Sequence, residues 1–203
     1  MRWKLHWSPT SPYVRKVMVA AHELGLADRF DLVPTRPETV VADVSADNPL
    51  GRVPALVLPD GTTLFDSLVI AEFLDATGGG ALFPRAGAER WRVLTLHALG
   101  HGVIDAAIAI VGERRRPEAE RSPAFLAARQ AEIARALDAA ERQSLDPAAH
   151  IGTIALAVSL GYAAFRMPER DWLHSRPRLA AWYEVFARRP SMQATIPRAG
   201  VSP

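Results

Sequence analysis

The sequence predicts an α+β protein in two parts, a mixed-sheet domain over residues 1–78 and an all-helical domain over 87–203. Three observations carry that prediction. Short apolar alternations with helical spacing between them fill the first part. Gly78-Gly79-Gly80 and then Leu82-Phe83-Pro84 interrupt the pattern, as a linker would. Beyond them, apolar residues recur only at helical spacing, in stretches punctuated by prolines.

Lys4-Leu5-His6-Trp7 is short, alternating and stopped by Ser8-Pro9, so it reads as the opening strand. Ser11-Pro12 then starts a helix. Serine is a preferred N-cap, and proline is tolerated at the first helical position because its missing N–H had no partner there. Val14, Val17, Met18, Ala21 and Leu24 share one face, and Gly25 closes the helix. Phe30-Asp31-Leu32-Val33 alternates as a second, parallel strand. Residues 35–48 hold at most one short irregular helix. Ala55–Leu58, Pro59-Asp60-Gly61 and Thr62–Phe65 spell a hairpin with Asp-Gly at its turn. Asp66 caps a helix through Ile70, Phe73 and Leu74 to Thr77. The order β-α-β-(α)-β-β-α is that of a thioredoxin-like βαβ-ββα domain. Helices are expected near 87–112, 122–145, 151–166 and 176–189.

Composition narrows the function classes. The chain has 203 residues, 49% hydrophobic and 23% charged, enough apolar material for a sizeable core. Residues 1–78 carry 7 Lys+Arg against 10 Asp+Glu, net −3, and the remainder 17 against 12, net +5. That asymmetry fits two modules but is too weak for nucleic-acid binding, and Arg114-Arg115-Arg116 reads as a solvated helix end. The absence of cysteine excludes disulfides, a catalytic thiolate and Cys-based zinc sites. His97 and His101, four apart on one helix, lack the carboxylate that would make a zinc site, so no metal is expected. No apolar run of signal-peptide length follows Met1-Arg2-Trp3-Lys4. Ile151 to Phe165 falls short of the ~20 residues that span a bilayer and reads as a buried helix. The expectation is a cytoplasmic protein with neither membrane nor nucleic-acid partner.

Three segments carry the chemistry: Ser8-Pro9-Thr10-Ser11-Pro12-Tyr13-Val14-Arg15-Lys16-Val17, Asn48-Pro49-Leu50-Gly51-Arg52-Val53-Pro54-Ala55-Leu56, and Phe65-Asp66-Ser67-Leu68-Val69-Ile70-Ala71-Glu72-Phe73-Leu74. In this order and spacing they resemble the cytosolic glutathione S-transferases, in particular the bacterial serine-type members, which are similar to the plant tau group at the Ser-Pro-aromatic motif. The similarity continues in Gly102–Ala106 and in Ile154–Tyr162, and so covers nearly the whole chain. It implies glutathione as co-substrate with no permanently bound cofactor, a small hydrophobic electrophile as second substrate, and a homodimer.

The resemblance also assigns roles. Ser11 stands at a helix N-terminus, where unpaired N–H groups and the macrodipole favour an anion. Lowering a thiol pKa by ~2 units takes roughly 2.7 kcal/mol. A hydrogen bond to a charged group supplies roughly 1.5–3 kcal/mol and a helix terminus about 0.3–1. Together these suffice without a general base. Read alone, Ser11 is only a helix N-cap, and Thr10 and Ser8 are close enough to donate in its place. The resemblance further implies a cis Val53-Pro54 bond, with the Val53 backbone pairing to the cysteinyl unit like an added strand. Ser67 would take the γ-glutamyl carboxylate, Asp66 the ammonium, and Arg52 the glycyl carboxylate. Tyr13, Asp105, Ala109 and Tyr162 are candidates for the electrophile pocket.

Departures from the pattern qualify this reading. Many relatives hold the glycyl carboxylate with a basic residue where Thr39 and Val40 stand, which implies weaker glutathione affinity or a substitute such as Arg36. The capping box expected before the core helix is replaced by His150 and Thr153, so that helix should be less well capped. The same site would also suit peroxide reduction, isomerisation or dehalogenation, and a non-catalytic glutathione-binding scaffold is the reading from another class.

Overall fold

Alternation of Trp3 and Leu5 with Lys4 makes the first strand, β1 (Trp3–Trp7), in a computed structural model that describes residues 2–36 and 38–198. There follow α1 (Pro12–Glu23), β2 (Phe30–Pro34), α2 (Val40–Val44), β3 (Ala55–Val57), β4 (Thr63–Leu64) and α3 (Ser67–Thr77). The remaining helices are α4 (Gly87–Arg114), α5 (Pro123–Glu141), α6 (Ile151–Arg166), α7 (Pro177–Ala187) and α8 (Pro190–Ala194). The α+β class and the thioredoxin-like order are those the sequence predicts. By its internal contacts the chain divides into two units, Met1–Arg90 with Pro190–Pro203, and Trp91–Arg189.

In the first unit the sheet order is β2-β1-β3-β4, with β1 parallel to β2 and antiparallel to β3. Trp3, Leu5, Val17, Phe30, Leu56, Ile70 and Leu74 form its core, joining the sheet to α1 and α3. The hairpin turn is as expected: Gly61 adopts φ 87°, and the Asp60 carboxylate accepts the Thr62 N–H at 2.9 Å. Thus a period-2 pattern and two capped helices fix one layer of helix on one face of a mixed sheet.

The glycine run is not a free linker. Gly78 N–H closes α3 onto the Leu74 carbonyl, and Gly80 N–H donates to the Asp75 carbonyl at 2.8 Å. The buried Asp75 carboxylate accepts Leu82 N–H at 2.6 Å and Phe83 N–H at 3.2 Å, pinning both apolar residues in the interior. A second correction concerns the C-terminal residues, which the sequence division put with the helical domain. α8 packs on α1. Arg15 donates to the Met192 carbonyl at 3.2 Å and to Thr195 Oγ1 at 3.4 Å, and the Ser191 hydroxyl bonds the Glu23 carboxylate. These bonds attach residues 190–198 to the first unit.

The second unit is built around α6, which is buried almost throughout. Gly100 of α4 lets the two helices approach closely. A Cβ there would lie 2.6 Å from the Ala155 carbonyl carbon and Leu156 nitrogen. The start of α6 is fully capped, contrary to the expectation above. His150 Nδ1 accepts the Thr153 N–H at 3.2 Å, and Thr153 Oγ1 accepts the His150 N–H at 2.9 Å. An imidazole nitrogen does here what a serine or threonine oxygen does in the usual box. α5 ends at Glu141 rather than 145, and the Glu141 carboxylate accepts the N–H groups of Arg178 and Leu179 in the first turn of α7. By length and composition α4 is apolar enough to cross a membrane, but half of its apolar window (50%) is buried within the protein.

Candidate functional site

Strand register brings three loops to one end of the sheet. His6 pairs with Ala55, so the chain entering β3 at Val53-Pro54 lies beside the end of β1 at Trp7-Ser8. Leu64 pairs with Leu56, so β4 leaves toward that same end and delivers Asp66-Ser67 there. α1 and α3, which pack together, therefore both begin at this edge. Two helix N-termini and one strand entrance converge, all within the first unit.

Ser11 is half-buried and caps α1, its Oγ accepting the Val14 N–H at 3.3 Å. A hydroxyl that accepts in this way still has its proton to donate. Among the described residues nothing takes it. Ser8 and Thr10 are half-buried in the same turn, which the Ser11 N–H closes onto the Ser8 carbonyl at 3.3 Å. Tyr13, one residue into α1, is half-buried as well.

The Val53–Pro54 bond is cis. Val53 is half-buried and lies outside the ladder, since β3 begins at Ala55. Its loop is organised by a residue the sequence reading left without a role. Buried Asn48 donates from Nδ2 to the Arg52 carbonyl at 2.8 Å and accepts the Leu50 N–H at 3.0 Å. Gly51 completes the turn at φ +59°, where a Cβ would stand 3.2 Å from Val41 Cα. Next to it, Asp47 binds Lys4 Nζ at 2.8 Å and the Nε2 of buried His6 at 2.6 Å. The Lys4 hydrogen bond and then that of His6 hold the Asp47 carboxyl below the usual carboxylate range. Sequence offered a signal for Asn48 in Asn-Pro-Leu-Gly, a turn composition. It offered none for Asp47.

Asp66 is exposed and caps α3, its Oδ1 accepting the Leu68 N–H at 2.9 Å. Ser67 is 0% exposed, and its Oγ has no hydrogen-bond partner among the described residues. A buried hydroxyl in that state costs roughly 1–3 kcal/mol, so its retention at a helix N-terminus points to a ligand. Arg52 and Arg36 are both exposed. Thr39 is exposed and donates to Asp43 Oδ2 at 2.6 Å.

The remaining candidates lie in the second unit. Asp105 is exposed on α4, 3.6 Å from His101 Nε2, and Ala109 is half-buried on the same helix. Tyr162 on α6 is 4% exposed, and burial pushes its phenol above the ordinary value, against the opposing pull of Arg166.

Comparison with known proteins agrees with this geometry. Residues 10–77 match the family model for the glutathione S-transferase N-terminal domain. The GST-like protein YibF of Escherichia coli K12 is 35% identical across 96% of this chain and 98% of its own. Glutathione S-transferase 3 of Zea mays is 30% identical across 95% and 92%. A glutathione transferase family member from Pseudomonas fluorescens Pf-5, solved with bound glutathione, superposes with a TM-score of 0.93 at 41% identity, covering 97% of this chain and 100% of the other. The same source provides a complex with S-(propanoic acid)-glutathione, with a TM-score of 0.89 at 39% identity over 97% and 100%. With that level of identity over nearly its full length, this chain belongs to the glutathione S-transferase family.

Proposed function

We propose that this protein conjugates glutathione to a small hydrophobic electrophile. One observation carries the reading: the N-termini of α1 and α3 meet at one sheet edge, each with a serine hydroxyl whose donor capacity no described residue uses. Ser11 donates to the glutathione sulfur and holds it as the thiolate, with the α1 terminus adding to the stabilisation. The thiol proton goes to solvent. The sulfur lone pair forms a C–S bond to the electrophilic carbon, and the leaving group departs with its bonding pair.

The Val53 backbone pairs with the cysteinyl unit beyond the edge of β3. Ser67 and the α3 terminus take the γ-glutamyl carboxylate, Asp66 the ammonium, and Arg52 the glycyl carboxylate, with Arg36 as the alternative to Arg52. Tyr13, in the first turn of α1, stands beside the second substrate. The protein acts in the cytoplasm as a homodimer. Support for glutathione comes from its presence in a neighbour of 41% identity, and support for conjugation from the thioether bound in another of 39%.

The test is activity toward a halonitroarene set beside reduction of an organic hydroperoxide, with glutathione binding followed by titration calorimetry. Conjugation predicts turnover of the arene that is lost in Ser11→Ala while glutathione still binds. Peroxide turnover alone would replace conjugation with reduction. A titration heat without turnover of either substrate would favour the scaffold reading, and absence of a heat would remove glutathione as the ligand.

A further inference from the structure

A cavity of about 290 Å³ opens beside Ser11, within the first unit, between α1, the edge of the sheet and the segment that follows α8. That is near the lower end of the roughly 300–1,000 Å³ typical of small-molecule sites. Leu32, Met18 and Ile196 contribute apolar wall. Leu32 and Ile196 are 43% and 49% exposed, so their apolar surface is open to a ligand. The polar part of the wall has one sign. Its charged members are Arg15 and Arg198, and among the described residues no aspartate or glutamate lines the cavity. Arg15 is fixed in position by its bonds to the Met192 carbonyl and Thr195 Oγ1, at 3.2 and 3.4 Å. Arg198 follows on the same C-terminal segment, and its side chain is exposed.

We infer that this cavity binds a small apolar acid, with the carboxylate held by Arg198 beside Arg15 and the apolar body against Leu32, Met18 and Ile196. An arginine fork matches a carboxylate in geometry as well as charge, and a wall without acidic groups leaves the local potential positive. The inference rests on the glutathione reading of Ser11, because that reading makes an acid bound here a candidate electrophile rather than a bystander. It names the substrate class that the conjugation chemistry leaves open: an electrophile that carries its own carboxylate. It also assigns specificity to residues 195–198, which lie far from Ser11 in sequence and carry no recognisable motif.

The test is calorimetric titration of the full chain with phenylpropionate and with phenylpropionamide, which has the same shape without the charge. Wild type should bind the acid about tenfold more tightly than the amide, as a charge-assisted hydrogen bond allows. Raising the salt should shrink that preference, since the cations are near solvent. Arg198→Gln should remove most of the preference and leave amide affinity unchanged. Leu32→Glu, which replaces apolar wall with a carboxylate, should weaken both ligands and the acid more than the amide, so that the preference shrinks. Equal binding of acid and amide by wild type, or a preference that survives both substitutions, overturns the inference. Glutathione titrated into the same three proteins should bind all of them alike. Its failure to bind any of them, with the acid preference intact, would leave the cavity standing as an acid site and remove the role given to Ser11.

Discussion

Ser67→Ala separates ligand recognition from folding with opposite signs. The Ser67 side chain is 0% exposed, and its Oγ meets no partner among the described residues. Removing an unsatisfied buried hydroxyl relieves a penalty of roughly 1–3 kcal/mol, less whatever the small void costs. For a chain of this size about 1 kcal/mol moves the Tm by roughly 2–4 °C. The free variant should therefore melt no lower than wild type, and up to a few degrees higher. Glutathione binding should move the other way. Loss of one hydrogen bond to a carboxylate, roughly 1.5–3 kcal/mol, raises Kd about ten- to hundredfold. The assay is thermal unfolding with and without glutathione, supported by calorimetry: wild type should gain stability with ligand as RT ln(1 + [L]/Kd), and the variant should gain little. A variant that melts several degrees lower yet binds glutathione as wild type does would show that Ser67 serves the core and not the ligand.

Two further predictions concern stability. His150→Ala deletes the acceptor of the Thr153 N–H at the start of α6, so it should cost about 1–2 kcal/mol in denaturant unfolding, and His150→Asn should recover most of that. Equal losses in both variants would mean that the ring matters for packing rather than capping. Asp47, held below the usual carboxylate range by Lys4 and His6, contributes stability that is fully present above the unfolded aspartate pKa, about 3.9, and is lost as pH falls through its lower folded value. Asp47→Asn should thus flatten the fall in stability on acidification below about pH 4. An unchanged slope would rule out that linkage.

Legibility differed between backbone pattern and side-chain partnership. Alternation in Lys4–Trp7 and Phe30–Val33, the Asp-Gly hairpin, and the Ser11 and Asp66 caps are local signals, and each element they predict is present. Register then follows from the hairpin and the parallel pair, and it brings the three motif loops to one edge. What sequence did not reveal depends on atoms distant along the chain. No local signal marks Asp75, yet its carboxylate holds the Leu82 and Phe83 N–H groups that follow the glycine run. Lys16 adds a charge to the composition like any surface lysine, yet it is fully buried and partnered. Attachment of α8 to α1 joins residues some 170 positions apart, Ser191 to Glu23 among them, and no periodicity signals that. By residue class His150 is a poor cap. The imidazole Nδ1 is a good acceptor when the proton sits on the other nitrogen, so the rule of residue types failed where the rule of lone pairs held.

The most direct measurement is the pH titration of thiolate ultraviolet absorbance for glutathione bound to wild type and to Ser11→Ala. The account predicts that the bound thiol ionises about 2 pH units below free glutathione, and that the alanine variant loses most of that shift while still binding the tripeptide. A bound thiol that titrates where the free one does, or a depression that persists without the Ser11 hydroxyl, would contradict it.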